Sequence, residues 1–228
     1  MDLPAYFLRR PPLPEDPRTI ERYEALWAEI TRDPGRDLTH AVESPRWRFL
    51  AYLAEHKPVL FHGSGDASLA TLVPRQANDV NDFGNRQAVY AASDGIWPIY
   101  FAIVDRGRMP ISLLNGCFRP ISPAGVPDDP AYFFSISQEA LAAAPWRNGT
   151  VYILPREGFE PRPPLEKNGR MHEIMEWASL SAVTPLAKVS VGPADFPFLD
   201  AIRGHDPQVV GARAAADPTG FPWLEEQG

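Results

Sequence analysis

Three groups in the middle of the chain have residue types and an order that suit chemistry on a sugar-linked ligand. His62-Gly63-Ser64 ends a short apolar run, and Tyr90 lies in a second apolar run about 25 residues later. A carboxylate follows much later, at Glu173 or Glu176. An imidazole bonds hydroxyl groups, an aromatic ring stacks on a planar ring, and a carboxylate stabilises developing positive charge. Such a set suits bond cleavage through an oxocarbenium-like transition state.

The order of these motifs resembles the His-Tyr-Glu branch of the ADP-ribosyltransferase-like superfamily, which includes poly(ADP-ribose) polymerases and diphtheria-type toxins. Phe61-His62-Gly63-Ser64 resembles the branch's His-Gly-Ser/Thr motif, and AVYAA at 88–92 resembles the strand that carries its second motif. The resemblance covers roughly residues 59–191 and extends to a family of uncharacterised bacterial proteins with this layout. Trp97 and Pro98 depart from it, because better-known members have a helix of small polar residues there.

The resemblance implies an enzyme that cleaves the nicotinamide–ribose bond of NAD and transfers ADP-ribose to an acceptor. It implies that His62 contacts the adenosine ribose, that the Gly63 backbone binds the nicotinamide amide, and that Tyr90 stacks on nicotinamide. Ser64 and Arg75 complete the predicted NAD-binding set. The acceptor stays open among proteins, nucleic acids and small molecules.

The third motif has two candidates, Glu173 and Glu176, and Glu176 is favoured. The family's glutamate normally opens a strand, and Glu176 directly precedes Trp177 and a strand-like segment. On a continuous strand the two carboxylates would face opposite sides, so both should not line one site. The predicted role of Glu176 is to stabilise the oxocarbenium and to orient the 2′-hydroxyl.

The polar segment 76–86 is predicted to be a loop. It could lie over the pyrophosphate, with Arg75 or Arg86 as counter-charge.

Two rival functions stay open. One is a catalytically silent member of the fold that binds a nucleotide or a protein partner. The other is a toxin or phage-defence enzyme that modifies nucleic acid. The net charge of −7 and the absence of any Lys/Arg block longer than a pair give the second rival little support. A basic surface cluster beside His62 would favour it.

Other kinds of site find less support in the sequence. Cys117 is the only cysteine, which excludes an intrachain disulfide and a CxxC zinc site, and we expect an inert core thiol. The five histidines are scattered without an i, i+4 pair, so no metal is predicted. Neither GxGxxG nor GxxxxGK[ST] occurs. Without a signal-peptide pattern or about 18 consecutive apolar residues, we expect a cytoplasmic protein away from membranes. The oligomeric state stays open.

Two helices should precede the strand-rich part of the chain. Residues 19–31 have amphipathic spacing with Thr19 as the cap, and a second helix should run from Ser44-Pro45 to about Glu55. We expect residues 1–58 to form an extended arm and a helical segment packed on the core. Residues 59–228 would form the ADP-ribosyltransferase-like domain with a loop-rich tail.

The remaining periodicity predicts an α+β fold. The resemblance implies that this fold has the split antiparallel β-sheet core of the ADP-ribosyltransferase-like superfamily, with N-terminal helices. The segment 94–104 is mostly apolar and could be a helix or a strand; a helix would bury Trp97, Tyr100 and Phe101, with Pro98 in its first turn. Residues 138–144 suggest a helical turn, and little strand signal follows Pro193. The predicted strands are 59–62, 88–92, 111–115, 132–136, 150–154, 175–179 and 187–191.

Overall fold

The computed structural model describes residues 3–77, 81–167 and 169–223, which form a mixed α+β fold. The helices are α1 (Pro17–Arg32), α2 (Trp47–His56), α3 (Trp97–Ile103), α4 (Gln138–Ala142) and α5 (Pro207–Ala216), with 3-10 turns at Pro193–Asp195 and Leu199–Ala201. The strands are β1 (Leu8–Arg9), β2 (Arg36–Asp37), β3 (Val59–Ser64), β4 (Arg75–Gln76), β5 (Gln87–Ala92), β6 (Leu113–Pro120), β7 (Ala131–Ser137), β8 (Gly149–Pro155), β9 (Glu160–Pro161), β10 (Leu165–Lys167), β11 (Arg170–Ile174), β12 (Glu176–Ser179), β13 (Ala187–Val191) and β14 (Arg203–His205).

The strands form two sheets. The larger has the order β2-β13-β8-β3-β5-β12-β9, with β4 also beside β5. The smaller has the order β1-β7-β6-β11-β10, with β14 beside β7. Most neighbours are antiparallel, while β2 with β13 and β7 with β14 are parallel. The two central strands predicted to carry the His and Tyr motifs, β3 and β5, are therefore neighbours in the larger sheet.

The first helix begins earlier than its predicted cap. The Asp16 side chain, rather than Thr19, caps α1, and it accepts a hydrogen bond from the Thr19 backbone nitrogen at 2.9 Å. Pro17 then occupies the first turn, where its fixed φ suits a helix and its missing N–H costs nothing. The predicted helix is confirmed, and its cap is corrected.

The second helix begins later than predicted, at Trp47. The segment before it is held by a distant carboxylate, because Asp195 accepts bonds from the Ser44 hydroxyl at 2.6 Å and from the Arg46 backbone at 2.8 Å. Leu26 and Ile30 of α1 and most of α2 are buried in the same core as the strands.

Helix α3 lies directly on the backbone of the larger sheet. A Cβ added at Gly63 would lie 1.8 Å from the Pro98 carbonyl oxygen, and one at Gly149 would lie 2.1 Å from the Ala102 carbonyl oxygen. No side chain fits between the helix and β3 or β8 at these two positions. The close approach gives Gly63 a packing reason that is independent of any ligand.

The segment 94–104, for which the sequence allowed a helix or a strand, contains helix α3, and Pro98 lies in its first turn. Asp94 is buried, and its carboxylate accepts bonds from the Ile96 and Trp97 backbone nitrogens at 2.9 and 2.7 Å. Trp97 and Tyr100 are buried, whereas Phe101 is only half-buried.

All seven predicted strands are present, with shifted ends. The strand predicted at 111–115 runs from Leu113 to Pro120 instead, and that predicted at 175–179 begins at Glu176. The sequence prediction missed helix α5, strands β11 and β14, and the short strands β1, β2, β4, β9 and β10. Strand β14 consists of Arg-Gly-His, which carries no apolar pattern, and only its pairing with β7 defines it. Within the part of the chain that the structure describes, we find no helix with the length and apolar character needed to cross a membrane.

Candidate functional site

The three residues predicted to carry chemistry lie on three neighbouring strands of the larger sheet. His62 is on β3, Tyr90 is on β5, and Glu176 opens β12. Strand β5 lies between the other two, paired with β12 over four positions and with β3 through Phe61 opposite Ala92. The fold therefore brings the three motifs into one region, in the order His, Tyr, Glu across the sheet.

The three side chains do not emerge on one face of that sheet. Phe61 and Ala92 are paired, and both belong to the main hydrophobic core. Because side chains alternate along a strand, Tyr90 lies on the same face as Ala92, and Glu176 lies directly across from Ala92. His62 follows Phe61 and therefore emerges on the opposite face. A ligand touching all three would have to reach the gap between β3 and β5.

In the described part of the chain, the edge of β5 that faces β3 has a gap in its strand pairing at Tyr90. Phe61 pairs with Ala92 on one side of the gap, and β4 pairs with Ala88 on the other. The His62 imidazole enters the gap, with Nδ1 2.7 Å from the Tyr90 carbonyl oxygen. The imidazole thus supplies a hydrogen-bond donor to this backbone acceptor.

This contact determines the tautomer of His62. A carbonyl oxygen only accepts, so Nδ1 must carry the hydrogen, and Nε2 of a neutral ring has the free lone pair. Burial lowers the pKa of His62, the bond to Tyr90 opposes this, and the charge of Arg75 lowers the pKa further. At neutral pH the ring is therefore uncharged. Among the described residues, no hydrogen-bond partner contacts Nε2.

The Tyr90 hydroxyl is held by the loop that precedes β5. It donates to the Phe83 carbonyl at 2.8 Å and accepts from the Arg86 backbone nitrogen at 2.8 Å. These bonds fix the ring in place. The predicted loop at 76–86 is corrected at its start, because Gln76 belongs to β4, and residues 78–80 lie outside the described residues.

Arg86 lies beside the hydrogen bonds that hold the Tyr90 hydroxyl, and one nitrogen of its guanidinium has no hydrogen-bond partner among the described residues. Its guanidinium carbon is 4.2 Å from the Phe83 ring centroid, and Nη1 is 3.4 Å from a Glu160 carboxylate oxygen. Nη2 is buried and has no hydrogen-bond partner in the described part of the chain. A buried guanidinium donor without a partner is unusual and fits an anionic group.

The two candidate glutamates belong to different sheets. Glu173 is on β11, opposite Arg119 in the smaller sheet, whereas Glu176 opens β12 in the larger one. Between them the Met175 backbone nitrogen donates to the Cys117 carbonyl at 3.0 Å, and the chain changes sheets. The two residues therefore do not share one strand. Only Glu176 is near the other two motifs.

An arginine holds the Glu176 carboxylate. Nη1 of Arg162 lies 3.1 Å from Oε2 of Glu176, and the two side chains are only 24% and 16% exposed. This half-buried pair orients the carboxylate and places a positive charge beside it.

Two further cations border the end of β3. The charge of Arg75 acts on both His62 and Asp66. The Arg147 guanidinium lies against the backbone of Gly65, where an added Cβ would be 1.6 Å from Nη2. The Ser64 hydroxyl accepts the Asp66 backbone N–H at 3.1 Å, so it stabilises the turn that follows the motif.

The structure also brings together residues that sequence reasoning missed. His205 bonds Ser135 and Ser112, which lie 70 and 93 residues away in the chain. No local spacing signals such a contact. Two surface pockets, of about 280 and 370 Å³, lie beside β10 and beside the Arg10–Leu13 arm, away from His62, Tyr90 and Glu176. The described residues contain no group of three His, Cys, Asp or Glu side chains suited to a metal ion.

Comparisons with protein-family models, with curated proteins and with solved structures find no match to this chain.

Proposed function

We propose that the protein is an NAD-consuming ADP-ribosyltransferase-like enzyme with a split-sheet core of that type. The observation that carries the proposal is the order of three neighbouring strands, which bear His62, Tyr90 and Glu176 side by side. The proposal is supported by the pairing of β3 with β5 at Phe61 and Ala92 alone among the described residues, and it takes their separation beyond that pair as the split of the sheet.

NAD is the proposed substrate because the gap offers groups of the right kind for its parts. Nε2 of His62 accepts a hydrogen bond from a ribose hydroxyl, a role that requires the neutral ring. The unpartnered Nη2 of Arg86 and the exposed Arg75 supply counter-charge for a pyrophosphate. The backbone of Gly63 and the hydroxyl of Ser64 complete the binding set.

Tyr90 and Glu176 act at the nicotinamide end of NAD, where the bond to the ribose breaks. Stacking on nicotinamide uses the face of the Tyr90 ring, and the hydroxyl bonds to the preceding loop hold that ring rigid. The bond between the nicotinamide nitrogen and the ribose carbon breaks, and its electron pair leaves with nicotinamide as a neutral molecule. Glu176 stabilises the cationic ribose, and a nucleophile of the acceptor then forms the new bond to the same carbon.

The test is calorimetry of the purified protein with NAD, followed on the same sample by an assay for free nicotinamide. We expect saturable binding with nicotinamide release. Absence of binding at millimolar NAD would overturn the proposal and leave His62, Tyr90 and Glu176 with packing roles.

A second candidate is a catalytically silent protein that binds a nucleotide or a partner. The Arg162–Glu176 pair favours it, because the guanidinium offsets the negative charge that an oxocarbenium ion needs nearby. Saturable NAD binding without nicotinamide release, even with candidate acceptors added, is its expected signature.

A further inference from the structure

Three side chains of the smaller sheet and its border form a hydrogen-bonded chain, whereas the NAD motifs lie in the larger sheet. Ser112 immediately precedes β6, Ser135 lies on β7, and His205 ends β14. The Ser112 hydroxyl is 3.0 Å from Nε2 of His205, and the Ser135 hydroxyl is 2.7 Å from Nδ1. Both ring nitrogens of the histidine thus contact a serine.

The direction of this chain follows from counting hydrogens. Ser135 donates its single hydroxyl hydrogen to the Arg203 carbonyl at 3.0 Å. Ser135 must then accept from the imidazole, so Nδ1 of His205 carries the hydrogen. Nε2 is left as an acceptor and takes the hydrogen of Ser112. With this assignment each hydrogen bond has one donor and one acceptor, and the donors point from Ser112 through His205 and Ser135 to the Arg203 carbonyl.

Burial decreases from Ser135 and His205 to Ser112, as expected if Ser112 is the reactive serine. Ser135 is fully buried and His205 is 5% exposed, whereas Ser112 is partly open to solvent. A nucleophile must be reachable, while its base and the group that orients the base are best kept from water. Burial also lowers the pKa of His205, with the neighbouring Asp206 acting in the opposite sense.

We propose that Ser112 is a nucleophilic serine activated by His205, and that it accepts the acyl group of small apolar carboxylic esters. Ser135 is a positioning residue that holds the imidazole in the required tautomer. Ile111 and Leu113, on either side of Ser112, are half-buried apolar side chains and suit an uncharged substrate. This proposal does not depend on the proposed NAD chemistry.

In the reaction, Oγ of Ser112 bonds to the ester carbonyl carbon and its proton passes to Nε2 of His205. The bond from that carbon to the alkoxy oxygen then breaks, and the leaving alkoxide takes the proton. Water repeats the sequence in the second half, which releases the acid and restores the serine.

The test is labelling of the full-length protein with a fluorophosphonate, which forms an O–P bond with an activated serine and expels fluoride. We expect peptide mapping by mass spectrometry to place the adduct on Ser112. Ser112→Ala should abolish labelling, and His205→Gln should slow it about 100-fold, because the general base is lost. Ser68→Ala is the matched control, since its hydroxyl is exposed and donates to Asp66 rather than to an imidazole.

Two outcomes would overturn the proposal. One is the absence of an adduct on Ser112 in the unmodified protein, a result that needs no variant to fold. The other is unchanged labelling in a His205→Gln protein whose thermal unfolding is cooperative. An acetyl adduct on Ser112 after reaction with p-nitrophenyl acetate would identify the acyl-enzyme itself.

Discussion

The two buried histidine regions of this molecule use the same imidazole chemistry and differ in what faces Nε2. At both His62 and His205, Nδ1 donates a hydrogen bond and burial lowers the pKa. At His62 no described residue bonds Nε2, whereas at His205 the same atom faces Ser112 at 3.0 Å. The partner of Nδ1 determines the tautomer, and the surroundings of Nε2 then determine what chemistry the ring can perform.

The two regions also differ in how the sheet holds them. His62 bonds a carbonyl opposite a gap in the ladder between β3 and β5, in the middle of the larger sheet. His205 ends a short edge strand and reaches across β7 to Ser112. Under the two proposals, the first region binds NAD and the second presents a serine nucleophile. The following predictions test whether these regions are independent.

The largest expected effect is that of Glu176→Gln. The change removes the negative charge that would stabilise the ribose cation, and it keeps a side chain that can still contact Arg162. Nicotinamide release should fall about 100-fold or more, with NAD affinity largely retained. The measurement is calorimetry with NAD together with initial rates of nicotinamide release.

Glu173→Gln is the matched control for that change. It lies in the other sheet, so nicotinamide release should stay at the wild-type rate. Fluorophosphonate labelling of Ser112 should be unaltered in both variants. A Glu176→Gln protein with full turnover would remove the catalytic assignment, and altered Ser112 labelling would show that the two regions are coupled.

An intermediate effect is expected for His62→Asn. An asparagine amide can replace the Nδ1 donor toward the Tyr90 carbonyl, yet it places no acceptor where Nε2 was. NAD affinity should fall about tenfold, as expected for one lost hydrogen bond. The free energy of unfolding in urea should stay closer to wild type than in His62→Ala, which loses the imidazole bond to the Tyr90 carbonyl, worth about 0.5–1.5 kcal/mol. Unchanged NAD affinity in His62→Asn would remove Nε2 from the site.

The smallest effect is a pH dependence shared by the two regions. The pKa values of His62 and His205 lie below their ordinary value of 6.5 in the folded protein. The unfolded chain therefore binds more protons as pH falls below 6.5, so this contribution to stability is complete above that value and is lost toward acid. Each histidine contributes a slope of at most about 1.4 kcal/mol per pH unit.

Urea unfolding at pH 7 and pH 5.5 measures this dependence. The slope should decrease in His62→Asn and in His205→Gln by similar amounts. A variant that keeps the full wild-type slope would show that its histidine titrates alike in the folded and unfolded chain.

Much of the secondary structure was accessible from the sequence, because its signals are local. Apolar runs identified strands at 59–62, 88–92 and 187–191, and the period near Leu26 and Ile30 identified α1. Strands β11 and β14 were missed because their residues are largely polar and only neighbouring strands define them. The cap of α1 was missed because Asp16 and Thr19 are both good capping residues, and the choice depended on Pro17.

For the candidate site, too, the sequence determined one part and the tertiary structure the other. Residue types and order alone determined that His62, Tyr90 and a late glutamate are candidates. The tertiary structure decided that Glu173 and Glu176 lie in different sheets, that His62 bonds the Tyr90 carbonyl, and that His205 meets two distant serines. The physical reason is range: side-chain periodicity and capping act over a few residues, whereas strand pairing and imidazole tautomers depend on partners many residues away.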